Sequence, residues 1–599
     1  NENTAYVATK YGISSIRLND NNFGDTYYIG DAGEFSSVLQ CTVINNYIYA
    51  ATELFGLKRI SITNPNLIDY AQWETYSHAK WLSIVNLKGS LVGVKDDLSL
   101  NRFENNAPIA VDNVYAGFYK LNVHDAELTA VAHESVRCYN QHLSLQFEYN
   151  FNTETGRFNT ALVKNNKFFL GTKENGAFLI NPSQNTKTIV SPNGPSKNTP
   201  FRIMENNSNL YVIYGGHKEN YLPVPEKNKI DKYELTKGWK SIPVSNLNDV
   251  QSTSYISINP RNPNKLYVSS FNNGLLEITP NSNDFSQSTS ILFNETNSGL
   301  GYVFNGVMNS VRINGPEFDG NGVGWIMNSF VNNSIRSFDL NGNWKTYSLA
   351  SVLISEAGEK YLAPIIDRNN TKWIATNNSG VIGFNETKNN KIIRIGSGEN
   401  SGNLPGPHVN TIDLDTSKQL WIGTNNGLRV LNSVDQFLTS SSLKANEIII
   451  TEEGKAQELF YQQQVLKIKV DGANNKWISI GGSGVFLVTP NGQEIIYKFT
   501  TENSPLPSNN VFDIAIDGKS GEVFFATEKG IVSFKNFATE AGENLDEVKV
   551  FPNPVRPDYT GEVKITGLVA GSNVKITDVA GNLVFEQKSQ GGTVLWNTY

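Results

Sequence analysis

Two cysteines in 599 residues, Cys41 and Cys138, exclude a disulfide-built scaffold and supply no C-x2-C metal knuckle. Far apart in sequence, they are expected to be two buried free thiols. Charge is scarce too. Charged residues make up 18 %, the net charge is −7, and Lys/Arg runs stay short, so the basic footprint of a nucleic-acid binder is missing. No apolar stretch approaches the roughly 18–20 residues a membrane helix needs. The first residues, "NENTAYVATKYG", hold no Met, no basic leader region and no leader-type apolar run. They read as a chain trimmed of upstream sequence, any export signal with it.

Catalytic motifs are equally thin. There is no G-x-S-x-G, no phosphate-cradling P-loop and no H-E-x-x-H. His124, His133 and His142 stand at nine-residue intervals, too wide for the tight pairs of a zinc site, and read as strand histidines. "DGNG" (319–322) and "DLNGN" (339–343) lack the acidic twelfth position of a calcium loop and read as turns. No catalytic residue, metal ligand or cofactor is expected, and the chain reads as a non-enzyme.

What is abundant is the material of β-structure. Aromatics reach 11 %, with 25 Tyr and 31 Phe, beside 49 Gly and a dense scatter of Asn. One phrase recurs: an apolar run ending in a small residue or Thr, a Gly-containing turn, and a second apolar run. "WIGTNNGLRVL" (421–431) is the clearest copy; others include "YVATKYGISSI" (6–16), "FLGTKENGAFLI" (169–180) and "FFATEKGIVSF" (524–534). Twelve copies, three of them weak, are spaced by roughly 40–58 residues, the length of a four-stranded propeller blade. A lone blade cannot bury its own faces, and twelve exceed one ring of typically four to eight blades, so two propellers are expected.

In the later copies an Asp precedes the strand's Trp by six residues: Asp319 and Trp325, Asp367 and Trp373, Asp415 and Trp421, Asp471 and Trp477. Asp517 precedes Phe524 by seven. Such Asp residues could be ligands for a metal or sugar, or they could start Asx-type turns whose Trp wedges between blades. Copies in successive blades occupy equivalent rim positions that cannot converge on one ligand, so the scaffold reading is preferred. "DTSKQLW" also departs from the S-x-D-x-G-x-x-W of sialidase Asp boxes. Two long stretches, 215–239 and 433–464, exceed blade needs and are the expected contact surfaces.

After residue 536 the blade pattern stops. An acidic connector (537–547) leads to "VKVFPNPVRPDYTGEVKITGLVAGSNVKITDVAGNLVFEQ", whose short alternating strands and Gly/Asn turns predict a small β-sandwich. "FPNPV" followed by "VKITDVAGNLV" resembles the C-terminal sorting domain of type IX secretion cargo in Bacteroidota. Pro552, Asn553 and Pro554 match its opening, and Asp578 and Gly581 its strand–turn–strand motif, with Ile576 and Val584 beside them. The longer string, with "VDGANNKW", "TTENSPLPSNNV" and "GEVFFATEKGIVSF", resembles the PorZ-like family, two-propeller surface components of that machinery.

The resemblance implies an all-β chain of three parts. Residues 1–195 would be a first propeller, partial, of about five blades, its other blades upstream. Residues 196–537 would be a second of about seven, and 546–599 a sorting-like sandwich stopping short of its last strands. A six-plus-six split, or a ring closed by both chain ends, is also open. The resemblance further implies a non-enzymatic, exported component at the outer-membrane surface. Its partners would be a sortase-like protease, outer-membrane-barrel shuttle proteins and surface lipopolysaccharide or glycan. The alternative is a periplasmic glycan sensor, since "WIGTNNGL" also resembles the propeller repeat of hybrid two-component sensors. A cryptic glycan-processing enzyme, such as a lyase or glycosidase, would need facing carboxylates or a His/Tyr/Arg cluster in one channel.

Overall fold

The computed structural model describes residues 4–597, apart from 21, 151–156, 166, 174–175, 182–185, 191, 235, 305–308, 453, 537, 560 and 590. The turn of the 169–180 repeat and the first connector residue therefore lie outside the described residues. The chain forms two compact units, Asn1–Pro192 and Asn193–Tyr599.

Each blade is built as its sequence requires. In Leu420–Thr424 and Gly427–Leu431 every residue is buried, which is why these strands read as continuous apolar runs: neighbouring blades cover both faces. The turn between them is fixed chemically. Thr424 donates its hydroxyl to the Gly427 carbonyl at 2.9 Å and accepts from the Asn426 amide at 3.0 Å, while Gly427 takes φ +131°, open to a residue without Cβ. Thr527 and Gly530 repeat the device, as do Thr9 and Gly12. Outer strands meet water. Ile495–Phe499 is exposed at four of its five residues.

In the first unit, antiparallel sheets follow one another at 4–27, 38–77, 81–113, 118–150 and 158–190. Adjacent sheets share cores. Val85, Val92 and Leu100 of the third meet Leu121, Leu128 and Tyr139 of the fourth. Cys138 is buried and Cys41 only half-buried, both free, which corrects the expectation of two buried thiols: Cys41 lies mid-strand in Val38–Ile44, whose central residues are only partly covered, and its thiol faces the Tyr6 carbonyl.

In the second unit, seven sheets follow at 202–242, 253–293, 313–347, 365–395, 409–431, 465–499 and 511–535. The ring closes. Ile203, Leu210, Val212 and Tyr214 of its first blade share a core with Ala515, Phe524 and Ala526 of its seventh. The Ile203 amide donates to Asp513 Oδ2 across that seam at 3.0 Å.

Two sequence stretches turn out differently from a simple insertion. Half of 215–239 is ordinary blade, the strands Ile230–Glu234 and Gly238–Ile242. Within 433–464, the short helix Gln436–Thr439 buries Phe437 against Trp373 with ring centroids 5.7 Å apart, and a hairpin joins Ile449–Glu452 to Lys455–Glu458. These segments replace a fourth strand on a three-stranded blade.

Beyond the ring, Glu562–Thr566 lies between Lys549–Phe551 and Thr593–Asn597 in one sheet, and Asn573–Thr577 pairs with Leu583–Lys588 in a hairpin. Ile565, Leu568 and Val594 fill the space between them, with Val574, Ile576, Phe585 and Trp596 partly buried alongside. The connector is bonded on both sides. Glu540 donates its amide to the Gly518 carbonyl of the seventh blade at 2.8 Å, and Gly592 donates to the Thr539 carbonyl at 2.9 Å.

Candidate functional site

The Asp residues paired with Trp in the sequence bind their own turns. Asp367 accepts at Oδ1 from the amides of Asn369 (2.8 Å) and Thr371 (2.9 Å), and at Oδ2 from the Trp373 indole N–H at 3.0 Å. Asp319 does the same with Asn321, Val323 and Trp325, the indole bond being 3.2 Å. Asp415 accepts from Gln419 N and, at 3.2 Å, from Trp421. Local donors occupy both oxygens of each carboxylate, and at Asp415 the Lys476 ammonium of the next blade is a further partner, so these groups serve the turn and the blade seam. Each Trp lies between its own blade and the next: Trp421 with Val465 and Ile468, Trp477 with Val511 and Ile514.

Asp471 is the exception in detail. It accepts from the amides of Ala473 and Asn475 and from Asn475 Nδ2, and the Trp477 indole N–H is left without a partner. Burial raises its carboxyl to about 6, with the Asn475 bonds opposing. An acid whose folded pKa lies above its unfolded value is destabilising when ionised, and that cost grows as pH rises from the unfolded pKa through the folded one. Stability of the second ring should therefore fall between about pH 4 and pH 6 through this group. In Asp471→Asn, urea denaturation followed by Trp fluorescence should show that part of the pH slope gone. An unchanged slope would refute the assignment.

The sorting-motif residues use the same turn chemistry. Asp578 Oδ1 accepts from Ala580 N (2.9 Å) and Asn582 N (2.8 Å), and Oδ2 from Asn582 Nδ2 at 2.8 Å, while Gly581 sits at φ +87°. "DLNGN" is its twin, with Asp339 bonded to Asn341 and Asn343 in the same pattern. Hydrogen bonds from the paired Asn, first of all from its side chain, hold both carboxyls below the usual range. Pro552, Asn553 and Pro554 follow the exposed strand Lys549–Phe551.

Sequence reading missed two lysines. Lys476 Nζ lies 2.9 Å from Asp415 Oδ2 and 4.6 Å from the centroid of the Trp421 ring, with both charged side chains fully buried. Lys372 Nζ stands 3.7 Å over Trp325 and pairs with Glu386. Each comes from the blade after its Trp. The signal was present in "TKW" (371–373) and "NKW" (475–477), since Lys directly before a strand Trp points to the opposite face, toward the preceding blade.

The channel of the closed ring carries the densest unassigned chemistry. Its wall is the seven inner strands, and one end is covered. A hairpin over 215–224, held by Val224 N to Gly216 O (3.1 Å) and Lys218 N to Leu222 O (2.9 Å), lies across it. His217 meets Phe201 and Phe271 at ring-centroid distances of 5.6 and 4.8 Å. Tyr221 Oη lies 3.3 Å from His408 Nε2, Lys360 Nζ stands 5.2 Å from the Tyr221 ring, and Phe330 is 6.4 Å away. The hairpin from the first blade thus reaches the third, fourth and fifth. Burial lowers His217 to about 3, with Lys360 adding to the effect, so it is a neutral aromatic there. Burial, then Arg202, lowers the Lys360 ammonium to about 7.

Below the hairpin, Lys467 pairs with Asp513 at 2.7 Å and Arg202 approaches the same carboxylate at 4.0 Å. Tyr255 donates to Glu317 at 3.0 Å, and burial raises the Glu317 carboxyl. Asp413, above all, holds the Lys469 ammonium above its usual range. Two cavities of about 430 and 200 Å³ open into this space and share Arg202, Tyr255, Glu317, Lys467 and Lys469. Among the described residues, no group of three or more His, Cys, Asp or Glu is placed to hold a metal ion. No helix among them is long and apolar enough to cross a membrane.

Residues 1–74 match the family described as the N-terminal β-propeller domain of PorZ from the type IX secretion system. Among solved structures, PorZ of Porphyromonas gingivalis, described as an essential bacterial surface component of that system, is similar over 99 % of this chain and 81 % of its own, at 21 % identity and a TM-score of 0.72. The extracellular domain of a hybrid two-component system from B. thetaiotaomicron covers 100 % of this chain and 80 % of its own at 16 % identity, but with a TM-score of 0.30. A search of curated protein sequences finds no match. This all-β, propeller-built chain is thus similar to PorZ in sequence over residues 1–74 and in fold along nearly its full length.

Proposed function

We propose that this protein is a non-enzymatic surface component of type IX secretion, scaffolding the complex that processes cargo sorting domains and anchors cargo to surface polysaccharide. The observation that carries the reading is the full-length fold likeness to PorZ, a surface component of that system, joined to a sequence match at the N-terminus. The turn-bound carboxylates support a scaffold. Asp367, Asp415 and their Trp partners spend their polar groups on blade geometry. Division of labour would follow the sequence boundaries: propellers at 1–195 and 196–537 as binding surfaces, and 546–599, with Pro552, Asn553, Pro554, Asp578 and Gly581, as the export module. Partners would be the sortase-like protease, the outer-membrane-barrel shuttle proteins and surface lipopolysaccharide. The protein would reside at the outer-membrane surface.

Deleting the gene in its native bacterium tests this. Cargo should accumulate with uncleaved sorting domains and leave the cell surface, and a copy of the gene should restore both. Normal processing and retention in the deletion strain would overturn the reading.

A further inference from the structure

Charges facing a cavity are informative when the protein leaves them unpaired, because a desolvated ion without a partner is costly unless a ligand supplies one. In the blade seams of the second ring, buried cations meet carboxylates. Lys476 has Asp415, Lys372 has Glu386, and Arg429 has Glu458. The channel differs. Ion pairing there is confined to Asp513 with Lys467 and Arg202. Among the described residues, Lys469, Asp413, Glu317 and Glu205 are half-buried along the two joined cavities and none has an oppositely charged side chain at ion-pair distance, Asp413 acting on Lys469 from farther off. Glu205 accepts the Ser208 amide, Glu317 the Tyr255 hydroxyl, and Asp413 the Leu414 and Val470 amides.

These unpaired groups carry both signs. An anion would meet Lys469 but be repelled by Glu317 and Asp413, and a cation would meet the reverse. Only a ligand with both charges satisfies the wall on both counts. The hairpin over 215–224 covers one end of the channel with aromatic rings. The cavities, at about 430 and 200 Å³, are in the size range of small-molecule sites.

We propose that the channel of the second ring is a binding site for a small zwitterion, an ammonium and a carboxylate joined by a short spacer, of the amino-acid class. The ammonium is held by Glu317 and Asp413, with Glu205 farther along the larger cavity. The carboxylate is held by Lys469, with Arg202 beyond it. Tyr255, already donating to Glu317, fixes that carboxylate's orientation.

Isothermal titration of the full chain with glycine, β-alanine, 4-aminobutyrate, 5-aminopentanoate and 6-aminohexanoate tests this, the series serving as a ruler for the charge separation. Pentanoate and pentylamine are the single-charge controls. One zwitterion should bind at least about tenfold tighter than either control. Lys469→Gln should erase its advantage over pentylamine, and Glu317→Gln its advantage over pentanoate, each variant being checked for an unchanged melting temperature. If Glu317→Gln fails to fold, Glu205→Gln in the larger cavity should weaken the zwitterion and pentylamine alike while leaving pentanoate unchanged. Absence of heat from every probe at millimolar concentration, or equal binding of zwitterion and controls, would overturn the proposal. Either result leaves the secretion role standing, since cargo processing in the deletion strain reads that role separately.

Discussion

Replacing Lys476 by alanine lowers the stability of the second ring by about 3–5 kcal/mol, the cost of leaving a buried carboxylate without its counter-ion. Both partners of the Lys476–Asp415 pair are at 0 % side-chain exposure, and the ammonium also donates to the carbonyls of Asn474 (2.8 Å) and Pro490 (2.7 Å). Burial lowers the Lys476 pKa while Asp415 opposes it, so the ammonium's charge is sustained by its partner. Removing that partner's charge as well should recover much of the loss. In Asp415→Asn with Lys476→Met, the Asn side-chain oxygen can still accept from Gln419 or Trp421, and no charge is buried alone. Urea denaturation followed by Trp fluorescence reads both variants. A loss below about 1 kcal/mol in Lys476→Ala would show that water reaches Asp415 and that the pair is not a stitch between blades.

Trp421→Ala should cost a similar amount, about 3–5 kcal/mol, as for other buried aromatic truncations. The ring fills the seam between the fifth and sixth blades, against Val465, Ile468 and Ile478, and its N–H satisfies Asp415. Lys476 lies over its face, so the two substitutions touch one cluster and their costs should not add. The double variant should be less destabilised than the sum. Zwitterion binding in the channel should persist at temperatures below the lowered transition, because Trp421 lies in the blade seam and the inner strands form the wall. A silent Trp421→Ala would contradict the wedge role, and strictly additive costs would contradict the shared cluster.

Much of the fold was legible because it is local. The Thr hydroxyl of "WIGTNNG" and the positive φ of Gly427 act within a few residues, so each hairpin declares itself in the string. The same is true of Asp to Trp at six residues, where one carboxylate closes a turn and reaches the indole of the returning strand. Legibility failed where partners come from distant strands. The stretch 215–239 reads as a loop, yet it holds two blade strands and a hairpin whose Tyr221 meets His408, nearly two hundred residues away. Lys372 and Lys476 look like polar residues at strand starts, and only blade stacking turns them onto an aromatic face.

The sequence by itself determined the unit: a short antiparallel hairpin, its turn, its Trp and its repeat, because these depend on hydrogen bonds and alternation within about twenty residues. It also marked the change of pattern after residue 536. Tertiary structure alone decided which charges ended in the channel and which were paired. Ring closure brings residue 203 to residue 513 and lines seven inner strands around one axis, and no local rule fixes what a side chain meets there.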